Sequence, residues 1–480
     1  MSRTIASVVL LTLATVGVAA DKSLVWPQFR GPGGSGIAED QKPPVEFGPD
    51  KNVKWKVPAP GGLSSPIVAG DLLVFTAFDG GKLYTVAFNR ADGKEAWRKE
   101  APAKEIEAYF KADGSPAAST PVTDGERIVS YFGSCGLCCY DLTGKELWRY
   151  ELPMAKTVAD FGTGTSPILA GGTVVLLRDE TKDPKIIAID LATGSRKWEK
   201  PRKSMASYST PLVLTTADST QIVTAGHGRL IAYDVKNGDE KWTVNGMPSS
   251  PCTTPIAADG VVYFAGWAPG EPGDKEFQLP TFDAVIKMTN AKDKEFFTKA
   301  EAEKTFVKDF FDPTDANKDG KVTREEWDAV LKFLAEGKNS AFAVKTGGAG
   351  DVSATHVLWK KTKGLPYVPT GIVYQGQFVM VKDGGLVSAY DAKSGKEIYT
   401  QEREAAAGRY FASPVAANGH IYLTALEDGT ITVLKAGADK PSVVVKNPKL
   451  GERVGATPAI ADDTIYVRTA GHLYAFANKK

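Results

Sequence analysis

Aliphatic and aromatic positions alternate with polar ones through most of the chain, and the alternation breaks at short turns bearing Asp, Asn and Gly. The clearest stretch is CCYDLTGKELW, ending at Trp148. A period of two on each side predicts two half-buried strands. Between them Asp141 can close a turn with its side chain, and Gly144 can supply the positive φ that turn needs. The same design recurs as VAFNRADGKEAW at Trp97, AIDLATGSRKW at Trp198, AYDVKNGDEKW at Trp242 and AYDAKSGKEIY at Tyr399. Repetition of this kind predicts a modular array.

Each unit opens with a small residue and Pro, or the VPTG variant, followed by an apolar strand. The eight openings are SSPIVAGDLLVF, STPVTDGERIV, TSPILAGGTVVLL, STPLVLTTADSTQIV, TTPIAADGVVYF, VPTGIVYQGQFVMV, ASPVAANGHIYL and ATPAIADDTIYV. With one exception they lie roughly 44–55 residues apart, and each unit carries about four strands. NVKWKV, around Trp55, is the closing part of a unit whose opening is missing. GATPAIADDTIYVRTAGHLYAFANKK is an opening that stops short of its last strand. An open array needs end caps, whereas these ends complete each other. The expectation is an all-β, eight-bladed β-propeller closed by the N-terminal strand, an arrangement that leaves only short, protected sheet edges. The repeated Trp residues then serve as apolar plates between blades.

At 480 residues with 42% hydrophobic content the chain can bury a large core, and 48 Gly with 29 Pro suit many strands and turns. A net charge of +1 gives no electrostatic reason to expect nucleic acid or an anionic membrane as partner. Arg3, the apolar run over 5–18 and Val18-Ala19-Ala20 before Asp21 form a cleavable export signal over 1–20, with no Cys after it for lipid attachment. No other run is long enough to span a bilayer. The expected location is periplasmic or secreted.

The exceptional interval falls in the fifth unit, between Trp267 and THVLWKK around Trp359. The organisation expected is 21–267 for the closing strand and blades 1 to the start of 5, 268–340 for an inserted helical unit, and 341–480 for the rest. A surface loop tolerates such an insertion at little cost. Within it DANKDGKVTREE places Asp315, Asn317 and Asp319 at positions one, three and five of a twelve-residue loop. Gly320 stands at the bend, Lys321 offers a backbone carbonyl, Thr323 can act through water, and Glu326 closes position twelve. This spacing is that of an EF-hand calcium loop. KAEAEKTFVKDFF is the expected entering helix, stopping near Phe311 ahead of Pro313, and REEWDAVLKFLAEG the leaving one. A second loop, NAKDKEFFTKAE (290–301), keeps Phe297, Thr298 and Glu301 but has Lys292 and Lys294 where ligand oxygens belong. It is expected to be a structural partner without metal, with PTFDAVIKM as its entering helix. One ion, held in a lateral arm, is the expectation. Extracellular sites of this type have dissociation constants on the order of 10⁻⁴–10⁻³ M.

Cys135, Cys138, Cys139 and Cys252 allow three complete pairings that sequence does not distinguish, and buried free thiols are a further alternative. His227, His356, His420 and His472 stand singly, and no nucleophile elbow, HExxH or phosphate loop is present. Segments leading into the inner strands should meet at the central channel. There Phe161, Tyr208, Tyr367, Arg409 and Tyr410 are the candidates for a small-molecule pocket.

The S/T-P opening, the D-G turn, the Y-x-x-D-x-x-T/N-G turn and the closing Trp resemble the repeats of pyrroloquinoline quinone (PQQ)-like propellers. These occur in bacterial quinoprotein dehydrogenases and in the scaffold of the outer-membrane β-barrel assembly machinery. WPQFRGP resembles the start of exported bacterial proteins of the same repeat class. The resemblance covers nearly all of the mature chain and carries fold more than function, because it rests on packing and turn residues. It implies two functions: an exported calcium-binding scaffold with a protein or cell-envelope partner, or a PQQ-dependent alcohol or sugar dehydrogenase. The second implies a Glu and an Asn on the quinone's calcium, a catalytic Asp, a Trp platform and an adjacent-cysteine disulfide such as Cys138–Cys139.

Overall fold

The computed structural model describes residues 25–479 except 205, 217–218 and 270–277. The export signal expected over 1–20 lies outside the described residues. Eight four-stranded antiparallel sheets follow one another around a ring, in most blades with consecutive strands from the channel outward; blade 4 gains a short fifth strand, Gly350–Asp351, paired parallel to its outermost one. In blade 1 these are Ile67–Ala69, Leu72–Asp79, Lys82–Asn89 and Glu95–Glu100. The short inner strands are almost wholly buried, whereas the outer ones alternate. Blade 8 takes three strands from the C-terminal end, Ala459–Ala461, Thr464–Arg468 and His472–Ala477. Its fourth strand is Val53–Pro58, with Trp55 opposite Ala475 and Lys56 opposite Tyr474. The two ends of the ring are thus joined by sheet hydrogen bonding, as their sequences predict.

The closing Trp of a blade reaches the turn of the next. Trp97 Nε1 donates to Leu142 O (2.9 Å) and Trp148 Nε1 to Leu191 O (2.8 Å), with Trp55, Trp198 and Trp359 making the same bond. A Cβ on Gly144 would stand 2.8 Å from the Trp97 ring. That glycine supplies positive φ (80°) and also the space in which the plate seats. Asp141 Oδ1 accepts from the backbone N–H groups of Thr143 and Lys145, holding the turn against the Trp.

In blade 5 the second strand, Val261–Gly266, and the third, Ser340–Lys345, pair normally although the helical segment lies between them. Asn339 spans the junction, accepting from Ala268 N (2.8 Å) and donating to Ala268 O (3.0 Å).

The helices depart from expectation in one place. The stretch 299–311 is not a single helix: it divides into Lys299–Ala302 and Lys308–Thr314, the second running on through position 313. The first piece is the leaving turn of the 290–301 loop, started by a capping box of Thr298 and Glu301. Thr305 ends it by donating its N–H and hydroxyl to Ala302 O.

Candidate binding cup and metal loop

The opening signature has a structural purpose beyond turning the chain. In every blade the Ser or Thr of that signature accepts a hydrogen bond from the equivalent backbone N–H of the blade before it. The series runs Ser65 N to Thr120 Oγ1 (2.9 Å), Thr120 N to Ser166 Oγ (3.0 Å) and Ser166 N to Thr210 Oγ1 (3.1 Å). It continues through Thr254, Thr370, Ser413 and Thr457, and Thr457 N returns to Ser65 Oγ (3.0 Å). Eight bonds close a circle around the channel. A small hydroxyl is required because a larger side chain would fill the channel and an apolar one would orphan a buried N–H.

Residues two positions earlier share the same face of the strand. Tyr208, Cys252, Val368, Phe411 and Leu63 therefore form a second tier above the hydroxyls. Phe29 forms the floor, and the cup has a volume of about 170 Å³. Burial pushes the Cys252 thiol up to about 12, so it stays protonated, and raises the Tyr208 phenol well above its ordinary value.

The floor belongs to the WPQFRGP segment, which crosses the opposite face of the ring. Trp26 O accepts from Val68 N in blade 1 and Pro27 O from Thr123 N in blade 2. Ala38 N donates to Ala416 O in blade 7. Arg30, with no exposed surface, donates to the carbonyls of Gly34, Ser35, Thr370, Gly371 and Pro414. One guanidinium thereby ties the plug to blades 6 and 7.

Over the mouth of the cup lies the loop 105–116, which joins blades 1 and 2. Asp113 accepts from Arg409 Nη1 (2.8 Å) and Arg453 Nη2 (2.6 Å), bridging to blades 7 and 8. Partial burial raises the Asp113 pKa, but the two guanidinium groups outweigh that and hold it below the usual carboxylate range. At the other end Glu107 is buried, with Oε1 accepting from Thr163 Oγ1 (2.7 Å) and Oε2 unpartnered. Burial pushes its carboxyl up to about 7.

Of the five expected channel residues only Tyr208 lines the cup. Phe161 packs edge-on against Tyr208 and Phe110 at the rim, Tyr367 lies edge-on to Trp267, and Arg409 serves the loop. Tyr410 turns away, its hydroxyl donating to Ala406 O (2.5 Å). The strand alternation places Phe411 and Val368 inward instead. Counting back two residues from each opening Ser or Thr would have found them.

The inserted unit has its own core of Phe282, Val285, Phe297, Phe311, Val322 and Trp327. Phe296–Thr298 and Lys321–Thr323 pair antiparallel, with Phe297 opposite Val322, joining the two loops side by side. In the 315–326 loop Asp315 accepts from Asp319 N (3.1 Å) and Gly320 N (2.9 Å). Glu326 Oε2 accepts from Thr323 N (2.9 Å), and Oε1 reaches back across the ring to Ala316 N (3.2 Å). Gly320 has φ of 79° with open space around it. The 290–301 loop repeats this frame, with Glu301 accepting from Thr298 N and Lys292 N. It brings lysines where the other brings Asn317 and Asp319. Among the described residues no three His, Cys, Asp or Glu side chains converge to metal-holding distances as placed. The oxygens of the 315–326 loop satisfy backbone N–H groups instead.

The unit is not the lateral arm expected from sequence. It folds over the cup face, because it springs from the turn between the second and third strands. Helix Lys308–Thr314 lies against the short turn Val158–Asp160, and Val158 O accepts from the Tyr208 hydroxyl (3.4 Å). The leaving helix, Arg324–Ala335, docks on blade 4, where Phe333 packs on His227 and Glu336 pairs with the same ring (2.7 Å).

The cysteines are all free thiols. Cys138 and Cys139 lie on the third strand of blade 2, Gly136–Asp141, two strands out from the channel. They are far from where a quinone in the cup would need them. The cup lining among the described residues contains no carboxylate, amide or Trp. The donor set that the dehydrogenase resemblance implies is therefore not met by these residues.

Comparison with known proteins agrees with the ring. The family model described as outer membrane protein assembly factor BamB matches residues 84–266 and 340–480, passing over the inserted unit. A curated relative, BamB of Moranella endobia (strain PCIT), is 23% identical over 210 residues, 43% of this chain. The chain spans 50% of that relative's length. Among solved structures, BamB from Moraxella catarrhalis superposes with a TM-score of 0.54 at 13% identity, over 89% of this chain and 97% of that one. Quinohemoprotein alcohol dehydrogenase ADHIIG from Pseudomonas putida HK5 gives 0.54 at 11% identity, over 95% and 81%. At these identities the superpositions speak to fold alone. The match over two long stretches of the ring makes this chain a member of the PQQ-like propeller family whose model bears the BamB description.

Proposed function

We propose that the protein is an exported binding scaffold of the cell envelope whose cup face carries one structural calcium ion. The observation that carries the calcium reading is the closed 315–326 loop, in which Glu326 reaches across to the start of the loop beside Asp315. Asp315, Asn317, Asp319, the Lys321 carbonyl and Glu326 offer hard oxygens at the spacing a hard divalent cation takes. Small rotations of the carboxylates, exchanging backbone N–H partners for the ion, would complete the site. The ion would supply a fixed positive charge that holds the entering helix against Val158–Asp160 and so stiffens the cup's mouth. The family description supports a protein partner in the envelope. The same comparisons support a periplasmic setting.

The test is terbium titration read through Trp327, which lies in the core beside the loop. The wild-type chain should sensitise terbium and Asp315→Ala/Glu326→Ala should not, with far-UV circular dichroism unchanged. Equal sensitisation in the double variant would refute the site.

A further inference from the structure

Among the described residues four arginines are almost fully buried: Arg30, Arg178, Arg202 and Arg468. Arg178 pairs with Glu180 (2.9 Å) and Arg202 with Asp179 (2.7 Å). Arg30 has no carboxylate but uses Nε and both Nη groups on carbonyls. Arg468 differs from all three. Its Nη groups donate to Ser64 O, Thr76 O and Pro60 O, yet Nε is buried with no hydrogen-bond partner and no carboxylate lies beside the group. Its plane stacks 4.1 Å over Phe75. Burying a guanidinium without a counter-ion is unfavourable unless something offsets it.

Arg468 forms part of the wall of a cleft of about 290 Å³ between the 109–116 loop and blades 1 and 8. Arg453 and Lys111 line the same cleft, and Asp113 is its one carboxylate. Three cations face one anion there, and that anion is already shared between Arg453 and Arg409 outside. The rest of the wall combines Phe78 and Tyr109, which meet edge-on at 6.0 Å, with Leu426 and the hydroxyl side chains of Ser115 and Thr469. The cleft abuts the cup, since Leu63 and Gly455 belong to both walls.

We propose that this cleft binds a small ligand with a carboxylate head on a ring-sized apolar body. The head would meet Arg453 and Lys111, with the Arg468 guanidinium adding positive charge from the wall behind them, and the body would lie on Phe78 and Tyr109. Asp113 competes for Arg453, so it holds the 109–116 loop shut when the ligand is absent. The proposal uses no residue of the inserted unit, so its failure would leave the calcium reading intact, and the reverse.

Isothermal titration of the full mature chain at low salt, with benzoate as probe and benzyl alcohol and inorganic phosphate as controls, tests it. Lys111→Gln/Arg453→Gln should weaken benzoate about tenfold or more, the equivalent of one lost charge-assisted contact or above. Asp113→Asn should tighten it severalfold by freeing Arg453, an effect opposite in sign to any general loosening of the site. Benzyl alcohol should bind all variants alike and more weakly. Thermal melts confirm that the variants are folded, and Arg468 is left in place because it also ties blade 8 to blade 1. No benzoate binding at millimolar concentration, equal binding by all variants, or phosphate binding as tight as benzoate would each overturn the proposal.

Discussion

The ring and the inserted unit hold their shapes by opposite strategies. The ring repeats one solution eight times: an inner hydroxyl bonded to the neighbouring blade, and in five places a closing Trp seated on the next blade's turn. These contacts recur from blade to blade, and the last blade is made from both ends of the chain. The inserted unit has one small core and one two-stranded junction. Repetition distributes stability around a closed circle, whereas the insertion concentrates it in a few side chains and, on the reading above, one ion. Damage to the insertion should therefore stay local. Damage to the ring should be felt by every blade.

The largest expected effect is in the insertion. Phe297, fully buried between Phe311 and Trp327, is its central ring. Phe297→Ala should cost about 3–5 kcal/mol of the unit's own stability. Trp327 fluorescence should then melt well before the far-UV signal of the ring, and calcium should partly restore it. Coincident melting of the two signals would erase the contrast between the regions.

Next comes a pH effect in the ring. Glu107 titrates at about 7 against an ordinary 4.5, because burial between blades 2 and 3 outweighs the Thr163 hydrogen bond and the nearby Arg178, with Glu180 adding to the rise. The folded chain holds this proton more tightly than the unfolded chain, so stability falls as pH rises from about 4.5 to about 7. The loss is on the order of 3 kcal/mol. Urea midpoints between pH 5 and 8 should show that slope, and Glu107→Gln should flatten it. The smallest effect belongs to the hydroxyl circle. Thr457→Val orphans the N–H of Ser413 and should cost about 1–2 kcal/mol of global stability, with the insertion's local melt unmoved.

Period-two alternation, the S/T-P openings and the complementary ends were enough to read the ring from sequence, because each depends on neighbours along the strand. The paired-loop frame of the inserted unit, with Phe297 opposite Val322, was legible for the same reason. What was not legible depends on distant partners. Nothing local says that Arg30 meets carbonyls at Thr370 and Pro414, or that Asp113 meets Arg409 and Arg453. Position in the sequence alone points Arg409 and Tyr410 at the channel. The parity of the strand puts Phe411 there, and Cys252 by the same count. The split of 299–311 into two helices follows from the Thr298–Glu301 capping box, which starts a leaving helix where an entering one had been expected.

The most direct measurement is calorimetric titration of the metal-stripped chain with calcium chloride. The account predicts one ion per chain, with a dissociation constant on the order of 10⁻⁴–10⁻³ M and none bound by the 290–301 loop with its two lysines. Zero ions, or two, would contradict it.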